Sequence, residues 1–168
     1  MYDYLDFQRK AVLYVALGGL FALLGGIVWY SSLDNPKLGQ VEIDMGTVKL
    51  TGQNDIEGKA KLDVGFVISN PSDKTFTVSR IDYELFANGV SIGKGQYSTE
   101  DIAMPGRAAF YSGASIELPS SFTLTKTPEN ADQYTAITTG GPVVYSAKGL
   151  IEVESAWSLV EKQFDISQ

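Results

Sequence analysis

The side chains best suited to proton transfer near neutral pH and to transition-metal ligation are missing, because the chain contains no histidine and no cysteine. That removes the Ser-His-Asp and Cys-His arrangements, thiolate metal sites, disulfides and a cysteine-linked lipid anchor together. What remains for chemistry is carboxylate, lysine, serine and tyrosine. Asp55 with Glu57, and Glu100 with Asp101, could offer oxygen ligands to a hard cation. Neither pair has the DxDxDG spacing of a calcium loop, so both read as solvated turn residues. Tyr97, Tyr111, Tyr134 and Tyr145 could stack on a sugar, but such rings more often fill or rim a β core. The expectation is a protein that is not an enzyme, with no catalytic residue, no metal and no cofactor. The formal charge of −7 excludes a phosphate backbone as a natural partner, so no nucleic-acid binding is expected. Asp3 and Asp6 balance Arg9 and Lys10, which places that excess on the residues beyond the first thirty.

The strongest patterned feature is the apolar run Ala11–Tyr30, AVLYVALGGLFALLGGIVWY. At about 1.5 Å rise per residue, about 20 helical residues cover about 30 Å, the hydrocarbon thickness of a bilayer. The alternative is a cleaved secretory signal, whose apolar core is about 7 to 15 residues and ends in a small-x-small site. This run is longer and leaves through Trp29-Tyr30-Ser31-Ser32-Leu33, so a retained single-pass anchor is expected, as the presence of Met1 in the chain also suggests. Arg9 and Lys10 precede the run and only Lys37 follows closely, which predicts a cytoplasmic N-terminus and an extracytoplasmic remainder. Tyr4 and Phe7 on one side, Trp29 and Tyr30 on the other, form the aromatic belt expected at headgroup depth. Gly18, Ala22, Gly25 and Gly26 fall on one side of the helix, where small side chains let a second helix approach closely. The partners expected are therefore the lipid bilayer and other transmembrane helices.

Beyond the run, Asp34-Asn35-Pro36 and Gly39 mark a linker over 31–40. The period then changes to two. Val41, Ile43 and Met45 alternate, with a bend at Gly46 before Val48 and Leu50. Thr51 to Gly58 reads as a polar turn region. Leu62, Val64, Phe66 and Ile68 share one face of the clearest strand, which stops at Asn70-Pro71, a turn signature. Phe76 to Phe86 is a strand with a phase shift near Arg80, and Asn88-Gly89 joins it to Val90 as a type I′ hairpin. Pro105-Gly106 is a further turn, and Ala108 to Leu118 reads as one strand. Thr127-Pro128-Glu129 resembles a helix start, with the helix ending before Gly140-Gly141-Pro142. Val143 to Val153 alternates again, and Trp157, Leu159, Phe164 and Ile166 supply a final strand or edge. The sum is about six to eight strands and one inserted helix, the spacing of an all-β sandwich.

The stretch KLDVGFVISNPSDKTFTVSRIDYELFANGVSIGKG, Lys61 to Gly95, resembles the LEA-14 or WHy family, the type 2 late embryogenesis abundant domains. The resemblance rests on Asn70-Pro71, Tyr83 and the glycines Gly89, Gly93 and Gly95, and extends less distinctly over 41–156. Ser72 follows Asn70-Pro71 where many members carry a second Asn. The resemblance implies an immunoglobulin or fibronectin-III-like sandwich over 41–168, no catalytic residues, and in some members a stress or desiccation role behind an N-terminal anchor. Anchored relatives are familiar from archaea. The leading functional expectation is a non-catalytic accessory subunit of a larger membrane complex, an archaeal membrane enzyme such as ammonia monooxygenase being one concrete host. A free-standing desiccation-protective protein is the second expectation. A pilin- or archaellum-stator-like envelope component is the third, since Arg9-Lys10-Ala11 loosely resembles a prepilin cleavage site.

Overall fold

The computed structural model describes residues 2–100 and 106–168, with side chains from Lys10 onward. The side chains of Tyr4 and Phe7 of the expected belt lie outside those described, and Asp101 and Pro105 lie outside the described residues. The chain is mostly β, in two antiparallel sheets behind one long apolar helix, α1 (Tyr2–Ser32). A short second helix, α2 (Asn35–Leu38), follows at once. The first sheet has the order β1 (Glu42–Asn54), β2 (Lys59–Ser69), β6 (Ser115–Thr125). The second has β4 (Val90–Ser98), β3 (Phe76–Ala87), β7 (Tyr145–Glu154), β8 (Leu159–Ser167), with the two-residue β5 (Ala109–Phe110) also on β3. Helix α3 (Ala131–Thr138) connects β6 to β7.

Alternation explains the sandwich. Leu62, Val64, Phe66 and Ile68 of β2 are fully buried, and they meet Ile81, Tyr83 and Leu85 of β3 from the other sheet. Phe66 packs edge-on to Tyr83 at 4.8 Å between ring centres. Tyr83 is seated by absence on both sides, since its partners in register are Gly95 on β4 and Gly149 on β7. A methyl group at Gly149 would overlap the Asp82 carbonyl oxygen, which is backbone and unable to yield. The buried Tyr83 hydroxyl bonds Ser120 Oγ at 2.9 Å. Because the Ser120 hydroxyl proton goes to the Gln96 carbonyl at 3.1 Å, Tyr83 is the donor, and one polar chain ties the two sheets without an orphaned atom. Burial therefore pushes the Tyr83 phenol up, with Ser120 opposing it.

Four stretches differ in detail from the sequence reading. The polar turn at Thr51–Gly58 is shorter than expected. β1 runs on to Asn54, whose Oδ1 caps the reversal by accepting from the Ile56 and Glu57 amides. Ala108–Leu118 is two strands in different sheets, because Gly113 at φ 75° and a hydrogen bond from the Ala114 amide to the Tyr111 carbonyl turn the chain between them. α3 begins after Asn130, three residues later than the Thr127-Pro128 signature. The buried Asn130 amide group instead organises that turn, accepting from the Thr127 amide at 2.8 Å and donating to the Thr125 carbonyl at 3.0 Å. Finally, the linker over 31–40 takes in the end of α1 and all of α2, as the next subsection describes.

Register assigns the loops to two ends. Ser69 pairs with both Glu42 and Ser115, and Thr77 with Glu154. The loops at 70–75, 111–114 and 155–158 therefore share the end of the sandwich where α1 enters. The β1–β2 turn, Asn88-Gly89 and α3 lie at the far end.

A candidate interaction site at the foot of the helix

The last carbonyls of a helix lack partners within it. At the end of α1 they are satisfied locally and by the sandwich. Ser31 and Ser32 hydroxyls donate back to the Val28 and Trp29 carbonyls at 2.9 and 2.7 Å. The Ser31 carbonyl accepts from the Ser158 hydroxyl at 2.7 Å, across 127 residues of sequence. Asp34, at the N-terminus of α2, makes no cap bond. Its carboxylate pairs with the Lys74 ammonium at 3.0 Å instead. Lys37 pairs with Asp73 at 2.7 Å. Leu38 and Val41 are fully buried in the main core, and the Lys162 ammonium donates to the Val41 carbonyl.

Magnitudes rank these contacts. Exposed ion pairs contribute about 0 to 1 kcal/mol each, whereas burying a Leu or Val side chain contributes about 1.5 to 3 kcal/mol. Leu38 and Val41 therefore hold the stalk against the sandwich, and the two ion pairs with the Ser158 bond fix its direction. Asp73 is held below the ordinary carboxylate range by its hydrogen bond with Lys37, and Lys74 is raised by its bond with Asp34.

The loop that grips the stalk is shaped by Asn70, which is 1% exposed. Its side-chain nitrogen donates to the Lys74 and Phe110 carbonyls at 2.7 and 2.8 Å. Its Oδ1 accepts from the Ser72 amide at 3.0 Å and the Ser72 hydroxyl at 2.7 Å. The backbone of Asn70 adds bonds to Ala114 and from Gly113. Every polar atom of this side chain is used in folding the Asn70–Lys74 turn, with Pro71 exposed on its outside. Asn88 and Gly89 stand at the far end, both at positive φ (51° and 80°), as a type I′ turn demands.

On α1, Gly18, Ala22, Gly25 and Gly26 are exposed, and a methyl group at any of the three glycines would meet nothing within 4 Å. Trp29 and Tyr30 are likewise exposed. Ala22 and Gly26, with Ile27 and Tyr30, form one wall of a groove of about 450 Å³ whose other wall is Trp157 in the β7–β8 turn. Trp157 is 70% exposed and precedes β8, so it is no part of the final strand that the sequence suggested. Sequence reasoning missed its position; the visible signal was an aromatic set between serines in Ser155-Ala156-Trp157-Ser158.

The other candidates do not converge. Asp55 lies beside Gln53, Glu57 pairs with Lys59 at 2.9 Å, and Glu100 is exposed in a loop at the opposite end. Among the described residues no three Asp or Glu side chains are grouped to hold a metal ion. Tyr134 is buried, Tyr97 and Tyr145 are half-buried and Tyr111 is exposed, so the four rings make no common platform.

No family model matches the chain, and no curated protein matches it. Among solved structures it is similar to a protein from Archaeoglobus fulgidus at 15% identity, over 77% of this chain and 92% of that one, with a TM-score of 0.41. It is similar to an Arabidopsis thaliana protein at 13% identity, over 76% and 81%, with a TM-score of 0.46. A candidate late embryogenesis abundant (LEA) protein is 11% identical over 94% and 87%, with a TM-score of 0.41. Likenesses of this size assign no family.

Proposed function

We propose that this chain is a non-catalytic, single-pass membrane protein serving as a structural accessory subunit of a larger integral-membrane complex. α1 is long and apolar enough to span a bilayer. In this reading its N-terminus is cytoplasmic, and the sandwich, of the immunoglobulin or fibronectin-III-like type of LEA-14 domains, stands outside. The observation that carries the reading is the seated stalk. A tether that merely kept a domain near a membrane would need no buried Leu38, no paired Asp34 and Lys37, and no bond from Ser158 to Ser31. A domain set at a fixed angle on its helix can brace neighbours that contact both. The open face of Gly18, Ala22, Gly25 and Gly26 is where a neighbouring helix would pack, since close approach is a main source of association in lipid.

The test is extraction from native membranes in mild detergent. The full chain is expected to co-purify with other membrane subunits, and Gly18→Leu or Gly25→Leu to lower that recovery by about tenfold, the equivalent of about 1.4 kcal/mol of helix packing. A lone monomer from native membranes contradicts the reading.

A further inference from the structure

We infer that the β7–β8 turn is a second membrane contact, with the Trp157 indole seated in the interfacial layer of the same leaflet through which α1 leaves the bilayer. The inference rests on α1 spanning the bilayer. Its geometry is independent of any partner protein. The Ser158 hydroxyl on the Ser31 carbonyl pins the turn to the last turn of α1. From there Trp157 lines one groove with Ala22, Gly26 and Tyr30. Ala22 to Tyr30 covers about 12 Å of helix axis and belongs to the apolar run, so the helix wall of that groove lies at the depth of the run's last turns, and Trp157 stands beside it. Trp and Tyr prefer this depth because one end of the ring is apolar and the other forms hydrogen bonds. The turn itself, Ser155 to Ser158, carries no charge that would resist it, and the nearby Glu154 is neutralised by Arg107 at 2.7 Å. The Trp157 ring is 70% exposed beside the apolar residues of α1, and an interfacial layer at that depth covers both.

The chain has two tryptophans, so Trp29→Phe leaves Trp157 as the sole indole and Trp157→Phe leaves Trp29. Each full-length variant is reconstituted alone into phosphatidylcholine vesicles with brominated chains, and fluorescence loss is compared with that from aqueous acrylamide. Trp157 is expected to lose about as much intensity to brominated lipid as Trp29 does, and to be shielded from acrylamide. Trp157 quenched by acrylamide and not by lipid overturns the inference while leaving α1 in the bilayer. Shielding from both quenchers means that protein covers the turn, which also overturns it. Trp29 untouched by brominated lipid overturns the spanning reading itself, and this inference with it.

Discussion

Replacing Asn70 should damage the domain out of proportion to its size. Its side chain makes four hydrogen bonds at a site 1% exposed, two donated to main-chain carbonyls and two accepted from Ser72. A typical internal bond contributes about 1 kcal/mol net, and an unsatisfied buried partner costs about 1 to 3 kcal/mol. The Ser72 hydroxyl can turn to the Lys74 carbonyl at 3.4 Å, which recovers part of the loss. Asn70→Ala is therefore expected to destabilise the domain by about 3 kcal/mol, or about 10 °C in melting temperature for a domain near this size. Asn70→Asp is the sharper probe. It keeps the shape and the oxygen that accepts both Ser72 bonds but places oxygen against the Lys74 and Phe110 carbonyls, so it should be at least as damaging. The assay is thermal or urea unfolding of the full chain in detergent, followed by near-ultraviolet circular dichroism, where the core tyrosines report packing. An Asn70→Asp protein within about 0.5 kcal/mol of wild type would refute the assigned network, because that is the range of substitutions that touch nothing.

Gly149→Ala should destabilise by about 1 to 3 kcal/mol in the same assay, since its methyl group meets the Asp82 main chain and not a side chain that can swing away. Tyr134→Phe should be neutral or stabilising by up to about 1 kcal/mol, because the Tyr134 hydroxyl is buried without a hydrogen-bond partner; a clear loss of stability would reveal one. The stalk ion pairs set a pH window. Asp73, lowered from 3.8 by Lys37, adds stability above that value that is lost as pH falls through its folded value. Lys74, raised from 10.5 by Asp34, adds stability below that value that is lost as pH rises through its folded value. The stability difference between wild type and Asp73→Asn should thus be flat from about pH 5 to 9 and shrink below it. A difference that varied across that plateau would contradict the pairing.

Much of the sandwich was legible because its signals are local. The period of two in β2, the phase shift near Arg80 and the Asn88-Gly89 turn each lie within a few residues of what they specify. The foot of the helix was not legible in this way. Asp34 meets Lys74 and Ser31 meets Ser158 only after the strands have brought distant loops to one end, and Pro36 with Gly39 reads locally as a linker. Asn70 was visible as a turn former, but its bond to the Phe110 carbonyl depends on β5, which the apolar pattern over 108–118 concealed by running two strands into one. Trp157 read as part of a final strand or edge because it lies near alternating apolar residues, whereas the turn places it outward beside α1.

The central claim is that α1 and the sandwich are fixed to each other. A chain with no native cysteine takes spin labels cleanly, so Leu24→Cys in the helix and Asp63→Cys on β2 can be paired in the full-length protein in lipid vesicles and their separation read by pulsed dipolar spectroscopy. A free linker over 31–40 would spread that separation by about 17 Å, the root-mean-square span of about ten flexible residues. A single distribution no wider than that of a label pair placed wholly within the sandwich is the result predicted, and a spread near the flexible value would contradict it.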